Sequence, residues 1–133
     1  MDERSLSKGE RLHHKKVIDR MFAGGSRSLA VYPIRAVYRI LDDDERQDAP
    51  VAMLVSVSKR KLRHATDRNR VKRLIREAYR HHKAPLPAIL EAKGKRMAIA
   101  FIYLTNELPT SDLINDCIKK ALKRIEENTL RLP

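Results

Sequence analysis

The sequence predicts an α+β fold, a single-domain α/β sandwich in which one sheet carries helices packed against it. Three observations lead there. Apolar residues recur at helical spacing in three separate stretches, over 14–23, 67–80 and 110–125. Apolar or alternating runs of strand length lie between them, over 29–41, 51–57 and 96–104. A chain of 133 residues suits one core of its own, without disulfide or metal staples.

Residues 1–10 are polar and lack a period, which predicts a loose tail ahead of a single domain over 11–133. From His14 to Ala23, Val17, Ile18, Met21 and Phe22 keep helical spacing and Gly24-Gly25 supplies a stop, so a short first helix is expected. Leu29 to Leu41 alternates. Ala30, Tyr32, Ile34, Ala36, Tyr38 and Ile40 fall on one side and Arg35 and Arg39 on the other, which predicts one strand. Pro33 cannot donate to a ladder and places that part at an edge or bulge. Asp42 to Asp48 is acidic and short, as a hairpin loop would be. Consecutive Asp side chains diverge, so a solvated turn is favoured there over a metal site.

Val51 to Val57 is a nearly continuous apolar run, expected to be a strand buried on both faces. Ser56 to Thr66 reads as a loop, with Thr66 or Asp67 as N-cap of a central helix over Asp67–Arg80. In that helix Val71, Leu74, Ile75, Ala78 and Tyr79 form one apolar stripe. Asn69, Arg73, Arg76 and Arg80 project from the opposite side, flanked by Arg70, Lys72 and Glu77. Ala84-Pro85-Leu86-Pro87 ends the helix and Ala88 to Ala92 adds a turn or two. Arg96 to Leu104 is another buried strand. Thr110 or Ser111 caps a last helix whose stripe is Leu113, Ile114, Cys117, Ile118, Ala121, Leu122 and Ile125. Lys119, Lys120, Lys123 and Arg124 fall in its C-terminal half, where cations complement the helix dipole.

Charge narrows the function. The net charge is +12 with a pI near 10.2, which points to nucleic acid or an anionic surface. Residues 59–83 hold eleven basic against two acidic side chains, so +9 of the +12 belongs to the central helix and the loop before it. Five Arg against one Lys in that helix favour phosphate, because the guanidinium presents a planar fork of donors. A solvated basic face is the bland alternative, but beyond the first position only Glu77 is available as an acid partner.

Other chemistry finds little support. His13-His14, His64 and His81-His82 lack ligand spacing, and there is no Gly-rich phosphate loop. The single Cys117 sits in an apolar stripe, excludes an internal disulfide and fits a reducing compartment. With no apolar run near 18 residues and no signal-peptide core, a cytoplasmic chain without a membrane is expected. No catalytic residue and no metal ligand are expected on this chain. A ribosomal or RNA-chaperone protein uses such a helix too, and remains open on these grounds. A DNA-binding regulator is disfavoured for want of a helix-turn-helix pair or heptads, and a standalone nuclease for want of catalytic residues.

Ser56-Val57-Ser58-Lys59, followed by Asp67-Arg68-Asn69-Arg70-Val71-Lys72-Arg73-Leu74-Ile75-Arg76-Glu77-Ala78-Tyr79, resembles the protein component of bacterial ribonuclease P. Its signature is an Arg-Asn-Arg-x-Lys-Arg-x-x-Arg helix after a strand ending Ser-Val-Ser-Lys. The resemblance spans about residues 11–127. It implies an α/β sandwich like ribosomal protein S5 domain 2, with a left-handed βαβ crossover through the Arg-Asn-Arg helix, against the usual hand. It further implies an RNA-binding subunit whose RNA partner, with magnesium, removes the 5′ leader of precursor tRNA. The partners are that catalytic RNA and precursor tRNA, with no obligate protein partner and no cofactor on the protein itself.

Carried over, Lys59, Arg60, Lys61, Arg68, Asn69, Arg70, Lys72, Arg73 and Arg76 would contact the RNA, Arg68 by reaching round the helix N-terminus. A leader-binding cleft between first helix and sheet would use Ile18, Phe22, Tyr32 and Ser56. Ile18 and Leu29 stand where the family often has aromatic rings, and the last strand lacks a basic residue common near its end. Each missing stack is worth about 1–3 kcal/mol per base, which shifts leader grip toward cations.

Overall fold

The computed structural model describes residues 8–133 except 13, 46 and 48. A 3-10 turn, Lys8–Glu10, precedes α1 (Lys15–Ala23), β1 (Arg27–Val31), β2 (Ile34–Ile40) and β3 (Val51–Ser56). There follow α2 (Ala65–His82), α3 (Pro85–Ala92), β4 (Met97–Tyr103) and α4 (Ser111–Leu130). The strands form one sheet in the order β1-β2-β4-β3, antiparallel except for the parallel β3–β4 pair. Among the described residues no helix is long and apolar enough to cross a membrane.

Both sheet faces are covered, and alternation assigns them. Leu29, Ile34, Ala36, Tyr38, Val51, Met53, Val55, Met97, Ile99 and Phe101 point into the main core with the buried stripes of α2, α3 and α4. The other face offers Ala52, Ala98 and Ala100, whose small side chains let α1 approach with Val17 and Met21. The central strand β4 is thus covered on both sides, as its run of apolar residues requires.

Four expectations change. The stretch 29–41 is two strands, because the chain reverses at Tyr32-Pro33, whose peptide bond is cis, and Val31 pairs with Ile34. Alternation survives the turn with its phase shifted: Leu29 points inward, Ala30 and Tyr32 stay exposed, and Ile34, Ala36 and Tyr38 point inward. Residues 42–48 do not close a hairpin, since β2 and β3 each flank β4 and the segment spans the start of that strand. Gln47 Nε2 donates to the Met97 carbonyl at 3.1 Å and fixes the crossing.

The third change concerns the N-terminal segment, of which residues 1–7 lie outside the described part. Its remainder is held rather than loose. Leu12 N–H donates to the Met53 carbonyl at 2.8 Å and Arg11 bridges Met53, so the chain covers the outer edge of β3. Glu10 pairs with the buried Lys83 at the end of α2. Fourth, α2 begins at Ala65 with His64 at its N-cap position and no side-chain cap, so Thr66 and Asp67 lie in the first turn.

Other elements match their reading. Thr110 Oγ1 accepts from Leu113 N–H at 3.2 Å as the cap of α4. Leu113 itself stays 43% exposed, outside the buried part of its stripe. Pro85, which has no N–H to continue α2, opens α3 instead.

The 42–45 segment is tied down by charge. Glu45, whose side chain is fully buried, accepts from Arg39 Nη2 and, at 2.9 Å, from the Asp42 N–H. Removing one partner of a buried pair leaves the other desolvated and uncompensated. We expect Glu45→Ala to lower the unfolding free energy by about 3 kcal/mol in urea titration, whereas Asp43→Ala, in the exposed turn, changes it little.

Candidate nucleic-acid interface

Helix α2 buries Val71, Ile75, Ala78 and Tyr79 and turns its charge outward. Asn69, Arg70 and Arg73 are exposed and Lys72 and Arg76 half-buried. Arg70 and Glu77 flank the α4 side, where Leu74, Ala78 and His81 meet Ser111, Asp112 and Asn115. Asn69, Arg73, Arg76 and Arg80 make the outward row. Among the described residues, Arg70, Lys72, Arg73 and Arg76 enter no ion pair. Among the described residues their charge has no acidic partner.

Lys59, Arg60 and Lys61 are exposed on a turn closed by Lys61 and Leu62 N–H donating to the Ser58 carbonyl, each at 3.1 Å. Leu62 inserts into the core and anchors it. Arg68 differs from its neighbours: Nη1 donates to the carbonyls of Leu62 and Arg63, both at 2.9 Å. It reaches round the helix N-terminus, as its position near the apolar side suggested, and braces the loop that presents Lys59–Lys61.

On the opposite sheet face α1 leaves part of the surface open. Register aligns Ser56, Ile102, Arg35 and Ala30 across all four strands on the face that α1 shares. Ser56, Arg35 and Ala30 are exposed and Ile102 half-buried, so this row is uncovered. The next row, Leu54, Ala100 and Val37, lies at least partly beneath α1. Lys16 and Arg20 tie one flank of α1 to the 42–45 segment, Arg20 through Asp44 at 3.0 Å. Ile18 and Phe22 occupy the flank about 200° around the helix, toward the open row.

Phe22 is 53% exposed and Ile18 half-buried. The structure therefore puts Ile18, Phe22 and Ser56 on one face of the sheet, with Ser56 in the uncovered row. Tyr32 stands apart at the β1–β2 turn, 71% exposed, its carbonyl accepting from Cys117 Sγ on α4. Arg35 and Ile102 belong to the same uncovered row and escaped sequence reasoning. Only the pairing register puts them beside Ser56, although the Arg35 alternation was visible.

Two charged groups were read differently from sequence. Lys119, Lys120, Lys123 and Arg124 lie more than a turn before the end of α4 at Leu130, and its last turn holds no basic residue. The dipole acts within the last turn and does not explain them. Asp42, Asp44 and Glu45 bring carboxylates within 4.8 Å of one another, close enough for a cation. Arg20, Arg39 and Lys16 already occupy that charge as ion-pair partners.

The family model described as Ribonuclease P matches residues 6–126. This chain belongs to the ribonuclease P protein family. A ribonuclease P protein component from Porphyromonas gingivalis (strain ATCC 33277) is 42% identical over 123 residues, covering 92% of this chain and 88% of the relative. One from Chlorobium phaeobacteroides is 30% identical over 133 aligned residues, covering 95% and 91%. The RNase P protein of Staphylococcus aureus shares the fold, with a TM-score of 0.67 at 21% identity over 88% of this chain and 95% of that one. The ribonuclease P signature helix is thus α2, and its preceding Ser-Val-Ser-Lys stretch starts at Ser56, the last residue of β3.

The Arg20 clasp is testable by pH. Chiefly through its hydrogen bond from Arg20, Asp44 titrates at about 2, below the ordinary carboxylate range. Because the folded value is depressed, the clasp's contribution is complete above about pH 4 and disappears as pH falls toward about 2. We expect a carboxyl ¹³C titration of Asp44 with a midpoint at about 2, moving to near 4 in Arg20→Met. In Arg68→Met we expect faster amide exchange at Lys61 and Leu62, while the α2 interior keeps its protection.

Proposed function

We propose that this chain is the RNA-binding protein subunit of ribonuclease P, assisting endonucleolytic removal of the 5′ leader from precursor tRNA. The observation that carries this reading is the uncompensated arginine row of α2 beside the braced Lys59–Lys61 turn. A same-sign surface of guanidinium groups is at its most stable against phosphate. In this reading Lys59, Arg60, Lys61, Asn69, Arg70, Lys72, Arg73 and Arg76 contact the catalytic RNA, and Arg68 acts by holding the loop.

The cleft takes the single-stranded leader. Ile18 and Phe22 wall it, Ser56 and Arg35 supply polar contacts on its floor, and Tyr32 offers a ring at the end of the sheet. Among the described residues Phe22 alone offers an aromatic face at the cleft wall, with Tyr32 apart at the β1–β2 turn, so Arg35 takes a larger share of the grip. Phosphodiester hydrolysis falls to the RNA subunit and the magnesium it binds. The protein contributes affinity and alignment, acting in the cytoplasm without a membrane and without an obligate protein partner.

The deciding experiment is leader cleavage from a precursor tRNA at low magnesium with a bacterial ribonuclease P RNA, this protein, or both. Cleavage that needs both components supports the reading. If the protein binds RNA yet adds nothing to any compatible RNA, a ribosomal or chaperone role replaces it. We expect Arg73→Ala with Arg76→Ala to flatten the salt dependence of RNA binding by about one phosphate each and to leave the melting transition in place.

A further inference from the structure

Where β1 begins, the edge of β2 is left with a gap. Leu41 N–H donates to the Arg96 carbonyl, which fixes the hydrogen-bonding phase: odd-numbered β2 residues address β4 and even-numbered ones address β1. Arg27 pairs with Tyr38, so Gly25 would be the partner of Ile40. Gly25 is not in the strand. Gly24 and Gly25 adopt φ of +120° and +81°, a path open to glycine, and carry the chain away from the edge. The N–H and C=O of Ile40 therefore face a cavity of about 350 Å³ bounded by Gly24, Gly25, Tyr38, Met97, Asn128 and Leu132.

The polar groups at this notch are mixed in kind. Asn128 Nδ2 donates to Tyr38 Oη at 2.8 Å, which leaves the Asn128 carbonyl oxygen as an acceptor and the Tyr38 hydroxyl hydrogen as a donor. With Ile40 they give two donors and two acceptors beside an apolar wall of Met97 and Leu132.

Other occupants fit less well. A cation finds one carboxylate among the lining residues, Asp42, and that is paired with Arg39. A bare anion finds Arg27 but meets the same carboxylate and leaves the apolar wall unused. An added peptide strand needs a longer edge than one residue, and Gly24-Gly25 closes this one. A flat heterocycle with alternating donors and acceptors suits both the polar groups and the wall, and the volume is within the range of small-ligand sites, which begins near about 300 Å³.

We infer that the notch between the β2 edge, Gly24-Gly25 and the end of α4 is a binding site for a single unstacked nucleobase, separate from the α1 cleft and from α2. Reading the ligand as a base of bound RNA rests on the proposed RNA-binding function. The Ile40 peptide and the Asn128 carbonyl read the base edge, Met97 and Leu132 contact its face, and Arg27 lies at the notch for the attached phosphate.

The test titrates the ¹⁵N-labelled full chain with the four 5′-mononucleotides and with ribose 5-phosphate. The expected result is saturable shifts at the Gly25 and Ile40 amides and the Asn128 side-chain amide, with affinity differing by about fivefold or more among bases. Asn128→Leu, which fills the notch, and Tyr38→Phe, which keeps the core volume, should each weaken the preferred base by about fivefold or more. Arg73→Ala should leave these shifts unchanged while weakening structured RNA. Absence of saturable shifts up to about 10 mM overturns the inference, as do equal shifts with ribose 5-phosphate or unaltered affinity in both notch variants. If mononucleotides occupy the notch but structured RNA ignores α2, the proposed function fails and the base site stands.

Discussion

The burial of one stripe of α2 against α4 and the sheet is the interaction on which the rest of the molecule depends. Val71, Ile75, Ala78 and Tyr79 are each no more than 4% exposed, with the Tyr79 ring centroid 6.0 Å from that of Phe101 on β4. Burying side chains such as Val71 and Ile75 contributes roughly 1.5–3 kcal/mol each. Repulsion between like charges one turn apart on a helix surface opposes this by a few tenths of a kcal/mol per pair. Packing wins by a wide margin, so the fold can hold a row of arginines on the outside of α2 without pairing them. The same packing fixes their direction, because a helix committed to the core along one side has no freedom to rotate.

Charge serves the opposite purpose at the other end of the sheet. Asp42, Asp44 and Glu45 each have a basic partner, and the product is position: Arg20 on α1 and Arg39 on β2 are drawn to one segment. Because Lys16 and Arg20 fix one flank of α1 there, Ile18 and Phe22 face the uncovered row. The acidic segment thus shapes the cleft without lining it. Compensated charge orients the scaffold, and uncompensated charge is kept for the partner.

Much of this was legible in the sequence where the information is local. The helical period of α2 and α4, the apolar run of β4 and the Thr110 cap depend on neighbours within a turn or a few residues, and all were read correctly. Most of what failed depended on pairing; the N-cap of α2 and the dipole reading of Lys119, Lys120, Lys123 and Arg124 were local and failed as well. Nothing local announces that residues 42–48 pass over β4, because β4 lies some fifty positions later in the chain. The split at Tyr32-Pro33 was hidden because alternation continues through the turn. Of the interface, the outward α2 row followed from angular position alone, and so did the reach of Arg68 round the helix N-terminus; that this reach ends on the Leu62 and Arg63 carbonyls came only from the structure. Arg35 and Ile102 joined the cleft only through the register, and the tie between Glu10 and Lys83 crosses most of the chain.

The two-sided covering of the sheet has a metric consequence. Whatever rests on the outer row of α2 and whatever rests in the α1 cleft are separated by one helix and one sheet, roughly 20 Å. No flexible connection enters that distance. It is set by the packing of α2 on β3 and β4 and by the thickness of the strands themselves. A chain of 133 residues can in this way act as a rigid spacer that keeps two of its own surfaces, one cationic and one concave, at a fixed offset.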